Sequence, residues 1–379
     1  MNSRERMMAA LEHREPDRVP IAMGGEDASI HIQAYRRLKD YLGLYGAGDE
    51  ATNIILQVIE PEERIRERFG CDTLFLTPGP PSDWELKVDP QTDSLVDEFG
   101  VRWARPPGGY WYDAVEHPLK EGTVEELKRY AFPNPRDPAR VEGLAEKARR
   151  LYDETDKALV GAGPWGIYEL SYCLRGIEEL YMDMATNLSY VEALAERVLE
   201  WHTGYYEALL DAVGPYIQVV TLSDDLGHND GPLFSPRIFR QVYKPRLRRL
   251  IDFIKSKTEA KIYLHSCGSV YTYIPDFIEM GVDVLNPVQV SARDMDTAKL
   301  KKEFGRDLAF WGGGCDNNVL SFGTPKDVEE EVKRRVYDLA PGGGYVFCSI
   351  HNISAEVPPE NIVAFYEVAL KYDVYPLHP

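Results

Sequence analysis

The chain has 379 residues, with 44% hydrophobic and 28% charged content, enough apolar material for a sizeable buried core. Its formal net charge of −19 argues against binding to nucleic acid or anionic lipid, which needs a basic face. No apolar run approaches the roughly 20 residues that span a bilayer.

The opening "MNSRERMMAALEHREPDRVP" is charged from its third residue and has no apolar signal core, so the expected location is the cytoplasm. The first strand-like run, "VPIAMGG" (19–25), follows, and "DTLFLTP" (72–78) is the second. Residues 82–118 then alternate with period two between the turn signals "DPQTD" and "RPPGGY", which predicts short antiparallel strands inserted after the second strand. Their aromatics, Trp103, Tyr110, Trp111 and Tyr112, are placed to cover a pocket or to form a subunit interface.

A helical pattern over 135–157 leads to a third strand, "ALVGAG" (158–163). The "GAGPWG" stretch (161–166) has Gly-x-Gly-x-x-Gly spacing, but a dinucleotide site needs a helix opening inside the motif. Pro164 and Trp165 predict a loop instead, with the next helix only near Arg175, and the nucleotide reading is rejected. Of Tyr168 and Glu169, which follow it, one is expected to line a pocket.

After a helix over 187–213, the fourth strand, "IQVVTLSDD" (217–225), runs into Asp224, Asp225, His228 and Asp230. Paired carboxylates there suit general acid/base work, cation binding or orientation of an imidazole; capping of a solvated turn is the plainer alternative. Helix 235–257 carries Lys244, Arg246, Arg248 and Arg249 on its expected wet face. Four further strands, "IYLHSCG" (262–268), "VDVLNPV" (282–288), "LAFWGGG" (308–314) and "YVFCSI" (345–350), alternate with helices over 270–280, 294–304 and 325–339. "PPEN" opens a last helix near 359–372, where proline in the first turn costs no hydrogen bond.

Eight strands alternating with helices predict an α/β chain folded as a (β/α)8 TIM-type barrel in a single domain spanning 1–379, with an open doubly wound sheet as the alternative. The strands end in polar or glycine-rich clusters, which a barrel gathers at its C-terminal face. His265 and Cys267 sit two apart, so an extended chain points both into one pocket. They are either satisfied by neighbours or hold a borderline-soft ion such as zinc. The five cysteines are odd in number and widely spread, unlike a disulfide framework. Cys348 and His351 at the eighth strand end, with Cys315 after the seventh as a reserve, supply further donors and favour the metal.

"RERMMAALEHREPDRVPI", "LHSCGSV", "FGTPKDVEEEV" and "GGGYVFCSIHNISAEVPPENIVAF" together resemble the uroporphyrinogen decarboxylase superfamily over almost the whole chain. The resemblance implies the same barrel, and either a porphyrinogen decarboxylase or a zinc-dependent, corrinoid-linked methyltransferase such as those that methylate coenzyme M. Decarboxylases of this kind carry an arginine-rich Met-Arg-Gln-Ala-Gly-Arg segment, whereas "IAMGGEDASIHIQAYRRL" offers Glu26 and Asp27 at that place, which suits a substrate with eight carboxylates poorly. The methyltransferases carry His-x-Cys plus a distant Cys; His265 and Cys267 match the first half, and His351 and Cys348 share the remaining places.

The resemblance therefore implies a methyltransferase that uses zinc and a cobalamin carried by a partner corrinoid protein, acts on a small methyl donor or acceptor, and forms a homodimer. Asp224, Asp225, Tyr168 and Glu169 are the expected catalytic group. Trp311, Asn286 and His228 are the expected cofactor contacts, with Trp311 and the inserted aromatics excluding water. The alternatives are a metal-free decarboxylase or lyase of a smaller acid built on Asp224, Tyr168 and His351, and a non-catalytic tetrapyrrole or corrinoid binder with His265 or His351 as axial ligand.

Overall fold

In the computed structural model, which describes residues 1–46 and 50–377, the strands Thr73–Leu76, Ala158–Gly161, Val219–Ser223, Lys261–His265, Val284–Asn286, Ala309–Trp311 and Tyr345–Val346 lie side by side in chain order. All their pairings are parallel, and helices run between them. The two edges are joined through Ile21, which bridges in parallel to Cys71 on one side and to Phe347 on the other. Asp72 N donates to Ile21 O at 2.7 Å, Ala22 N to Phe347 O at 2.9 Å, and Phe347 N to Pro20 O at 2.8 Å. The predicted barrel is thus closed, but its first strand is a short extended segment, because Pro20 has no N–H to extend a ladder.

Alternate strand residues point into the barrel, where Ala158, Val160, Val219, Tyr263, Val284, Ala309, Trp311, Val346 and Cys348 pack as one cluster. The helix Ser3–Leu11, opened by a capping box between Asn2 and Glu5, closes the floor with Met7 and Leu11. A larger apolar shell fills the space between the strands and the outer helices. Among the described residues, no helix is long and apolar enough to cross a membrane.

Beside the closing segment, where its backbone O accepts from Val19 N, Asp373 is 1% exposed and neither of its carboxylate oxygens has a hydrogen-bond partner among the described residues. Burial, only partly offset by Arg18 and reinforced by Asp72, pushes its pKa up to about 7. A carboxyl raised in the folded state stabilises fully below its unfolded value, and that contribution is lost as pH rises through 7. Asp373→Asn is therefore expected to stabilise the protein by roughly 2–3 kcal/mol at pH 8 and very little at pH 4. Urea unfolding at the two pH values checks this; an equal shift at both would contradict it.

The insertion forms a three-stranded antiparallel sheet, Ser94–Val96, Arg102–Ala104 and Asp113–Glu116, as its alternation predicts. Asp97 sets its first turn by accepting from Phe99 N and Val101 N, both at 2.9 Å, with Gly100 at φ 79°. The helix expected over 235–257 is divided by a wide turn at Phe239–Tyr243, just ahead of Pro245, whose missing N–H and ring a regular α-helix could not accept. Its basic residues are ion-paired rather than simply solvated: Lys244 meets Asp276 at 2.7 Å, Arg248 meets Asp252 at 3.0 Å, and Arg246 and Arg249 share Glu196.

Candidate active site

The inward alternation that buries Tyr263 brings His265 to the top of the barrel interior, and Cys267 follows two residues on. Parallel register sets His265 beside Asn286, so their side chains meet, with His265 Nδ1 2.6 Å from Asn286 Oδ1. Asn286 Nδ2 donates to Trp311 O at 3.0 Å, which fixes the amide with its oxygen toward the ring. Nδ1 of His265 must then be the protonated nitrogen, and Nε2 faces Cys267 Sγ at 3.3 Å. His351 approaches from the chain beyond the last strand, its ring centroid 5.3 Å from that of His265. Donor atoms of His265, Cys267 and His351 all lie within 4.8 Å of one another.

Cys348 is not part of this group, a correction to its predicted place as a ligand. It follows Val346 on the inward face, and its thiol is buried among Trp311 and Tyr263 and donates to Ser349 O at 3.2 Å. Cys315 packs in the outer shell and donates to Asp316 O at 3.5 Å. Trp311, expected at the cofactor and at the pocket wall, is instead barrel filling, edge-on to Tyr263 with centroids 5.3 Å apart. His228, also expected at the cofactor, lies exposed in a small hairpin formed by Gly227–His228 and Gly231–Pro232. Asn286 is buried and touches the site only by orienting His265.

The helix Ile167–Arg175 begins directly after "GAGPWG", where a loop was predicted. Its first amides are already occupied: Asp224 accepts from Tyr168 N at 2.9 Å and Glu169 N at 3.1 Å, and Glu169 accepts from Gly166 N at 2.9 Å. No open anion site is left there. Gly166 permits the fit, since a Cβ would overlap Ser223 O and come within 2.5 Å of Asp224 Oδ1. Asp224 is therefore a buried cap, not a cavity-facing acid. Tyr168 likewise turns away, its hydroxyl 2.9 Å from that of Tyr181 and its ring among Tyr172, Phe234 and Tyr243. Neither fills its expected catalytic place.

Glu169 and Asp225, by contrast, face a cavity. It has a volume of about 390 Å³ and reaches His265 and His351, with Asp27, Asp113, His117, Trp103, Trp111, Tyr112, Trp165 and Tyr172 among its other walls. The inserted aromatics Trp103, Trp111 and Tyr112 thus cover the pocket. Asp225 Oδ1 accepts from Cys267 N at 2.7 Å and lies 3.6 Å from His265 Nε2, and Asp27 Oδ1 lies 3.6 Å from His265 Nδ1. Sequence reasoning noticed Asp27 only as the replacement for an arginine, and it missed Tyr172, His117 and Trp165 as pocket walls. The one available signal for Tyr172 was its helical spacing from Tyr168 and Glu169, hidden by the expected loop.

Burial works against a charged His265, but Asp27, Cys267 and Asp225 outweigh it and hold its pKa well above the ordinary histidine value. Burial, reinforced by Asp225, pushes the Cys267 thiol up to about 12. Burial and the neighbouring His265 lower His351. Glu169 rises to about 7 through burial and the charge of Asp225. Two imidazoles and a thiol with one ring nitrogen fixed as a donor can bind a divalent ion once the protons on His265 Nε2 and Cys267 are released, so the donor set fits zinc.

A family model described as uroporphyrinogen decarboxylase (URO-D) matches residues 97–372. A uroporphyrinogen decarboxylase of Alkalilimnicola ehrlichii is 22% identical over 375 residues, covering 96% of this chain and 92% of its own length. One from Idiomarina loihiensis is 22% identical over 383 residues, covering 97% and 96%. Among solved structures, a methyltransferase from Methanosarcina mazei matches with a TM-score of 0.66 at 18% identity, covering 98% of this chain and 99% of that one. That likeness concerns the fold.

Proposed function

The chain belongs to the uroporphyrinogen decarboxylase (URO-D) family, and from that membership we propose that it is a zinc-dependent methyltransferase, exchanging a methyl group between a small substrate and a corrinoid held by a partner protein. The observation that carries this reading is the meeting of His265, Cys267 and His351 under a cavity whose described walls include Asp27, Asp113, Glu169 and Asp225 but no lysine or arginine. These three residues would hold the ion through two nitrogens and one sulfur, a set suited to a borderline-soft metal. When bound, zinc supplies a Lewis acid that lowers the pKa of a substrate thiol or polarises a methylated heteroatom.

The chain's own residues do the rest. Asn286 holds His265 in the tautomer that frees Nε2, and Asp225 fixes Cys267 through its backbone N–H. Glu169, with its pKa near 7, can take up a substrate proton at neutral pH. Trp103 and Trp165 line the cavity, where their rings would keep water from a bound substrate. A cavity of about 390 Å³ admits a small molecule; a macrocycle would have to be presented at its mouth by a partner.

The relatives' name points to decarboxylation, but a poly-acid would meet acids here, and Asp224 and Tyr168, on which a metal-free lyase would rely, face away from the cavity. Purified protein supplied with zinc should transfer methyl from methylcobalamin to one of a panel of thiols, leaving cob(I)alamin, or from one of a panel of methylated donors to cob(I)alamin, releasing the demethylated donor, and a chelator should stop it. Carbon dioxide release from small acids that a chelator leaves untouched would overturn the reading. Asn286→Ala is expected to weaken zinc binding by roughly 10- to 100-fold. Competition against a chromophoric chelator measures it; unchanged affinity would remove Asn286 from the metal's support.

A further inference from the structure

We propose that the small substrate of this cavity carries a positive charge, an ammonium group held against tryptophan and tyrosine walls while its reactive heteroatom faces His265, Cys267 and His351. What the reactive end undergoes rests on the methyl-transfer reading; the ammonium end is an anchor at which no bond is made or broken.

The walls come from two separate parts of the chain. Trp103 is supplied by the inserted sheet and Trp165 by the loop before the Ile167–Arg175 helix; their centroids are 5.1 Å apart with planes at 69°, so the two rings form a corner. Trp111, Tyr112 and Tyr172 line the same space. Aromatic faces carry negative potential and attract a desolvated cation, above all one too bulky and too weakly hydrated to prefer water. A purely apolar ligand would explain the aromatics but not the charge around them.

That charge has one sign. Asp113 stands at the exposed rim, Asp27 and Asp225 at the base beside His265, and Glu169 lines the wall from the first turn of the Ile167–Arg175 helix. The basic groups among the described lining residues are imidazoles, and of these His117 is tied through Nδ1 to Cys173 O at 2.7 Å. A divalent ion bonded to one thiolate would still leave the carboxylates in excess. In a site of reduced dielectric an anionic substrate is repelled, a neutral one gains nothing from the carboxylates, and a cation is drawn in. The chain's net charge of −19 acts in the same direction over longer range.

The test compares choline with 3,3-dimethylbutan-1-ol, its uncharged carbon counterpart, and with 2-hydroxyethanesulfonate as an anion that carries the same hydroxyl end. Binding to the full-length, zinc-supplied protein is followed by calorimetry and by the fluorescence of the cavity tryptophans. Choline is expected to bind at least about tenfold more tightly than its neutral counterpart, with the sulfonate weakest. Trp165→Leu and Asp113→Asn should each reduce that preference severalfold; Asp113 is at the surface, so its variant keeps the fold. Equal affinity for choline and the alcohol, tighter binding of the sulfonate, or no detectable binding of choline would overturn the proposal. Chelator-sensitive methyl transfer to an anionic thiol with no cation preference would leave the methyltransferase reading standing without this one. Cation preference without methyl transfer would do the reverse.

Discussion

His265→Ala is expected to strip the protein of zinc and to lower methyl transfer by roughly a thousandfold, the several kcal/mol that a Lewis acid contributes. The ring is the centre of the donor group: its Nε2 lies 3.3 Å from Cys267 Sγ, its other nitrogen is locked by Asn286, and its centroid is 5.3 Å from His351. Removing it leaves one thiol and one imidazole, too few donors for tight binding. Cys348→Ala is the matched control, because that thiol is sealed in the barrel interior against Ser349 O. It should keep both zinc and activity. Metal analysis of the two purified variants decides between them; zinc retained in His265→Ala, or lost in Cys348→Ala, would contradict the placement.

The largest expected effect on stability belongs to Asp72, a fully buried carboxylate where the barrel closes. It pairs with Arg6 at 2.7 Å and Arg18 at 2.9 Å, and accepts from Ile21 N at 2.8 Å. One side chain therefore joins the floor helix, the irregular closing segment and the neighbouring strand. Asp72→Ala would leave both guanidinium groups short of a partner and the Ile21 amide unsatisfied, at a cost of about 3–5 kcal/mol. That is a large share of the 5–15 kcal/mol typical of a folded domain. Urea unfolding near neutral pH measures it, and a loss below about 1 kcal/mol would show that the closure does not depend on this residue.

The barrel was legible in the sequence because eight apolar strand cores alternate with helices and end in polar clusters, as strands that share a rim do. The closing strand was less so: its apolar residues at 19–25 are real, but Pro20 reduces it to bridges at Ile21. The helix at 167–175 was hidden because its cap is not local. Asp224 arrives from a strand more than fifty residues later, and nothing within "GAGPWG" announces it.

The same distinction separates the site residues found from those misplaced. His265 and Cys267 follow from period-two alternation alone. Cys348 obeys that alternation too, but it points into the layer beneath, with Trp311, while His351 reaches the donors only because the chain has left the strand. Asp27 takes its place through the turn between Gly24 and Ala28, a backbone bridge with no periodic signature. Side-chain direction at a strand end depends on where the ladder stops, and that is decided by neighbouring strands.

In the proposed site, His265, Cys267 and His351 bind one ion. X-ray absorption at the zinc edge of the protein purified without chelator tests it most directly. Bound zinc with nitrogen neighbours near 2.0 Å and sulfur near 2.3 Å is the expected result. Protein free of zinc, or zinc whose nearest neighbours include no sulfur, would contradict it.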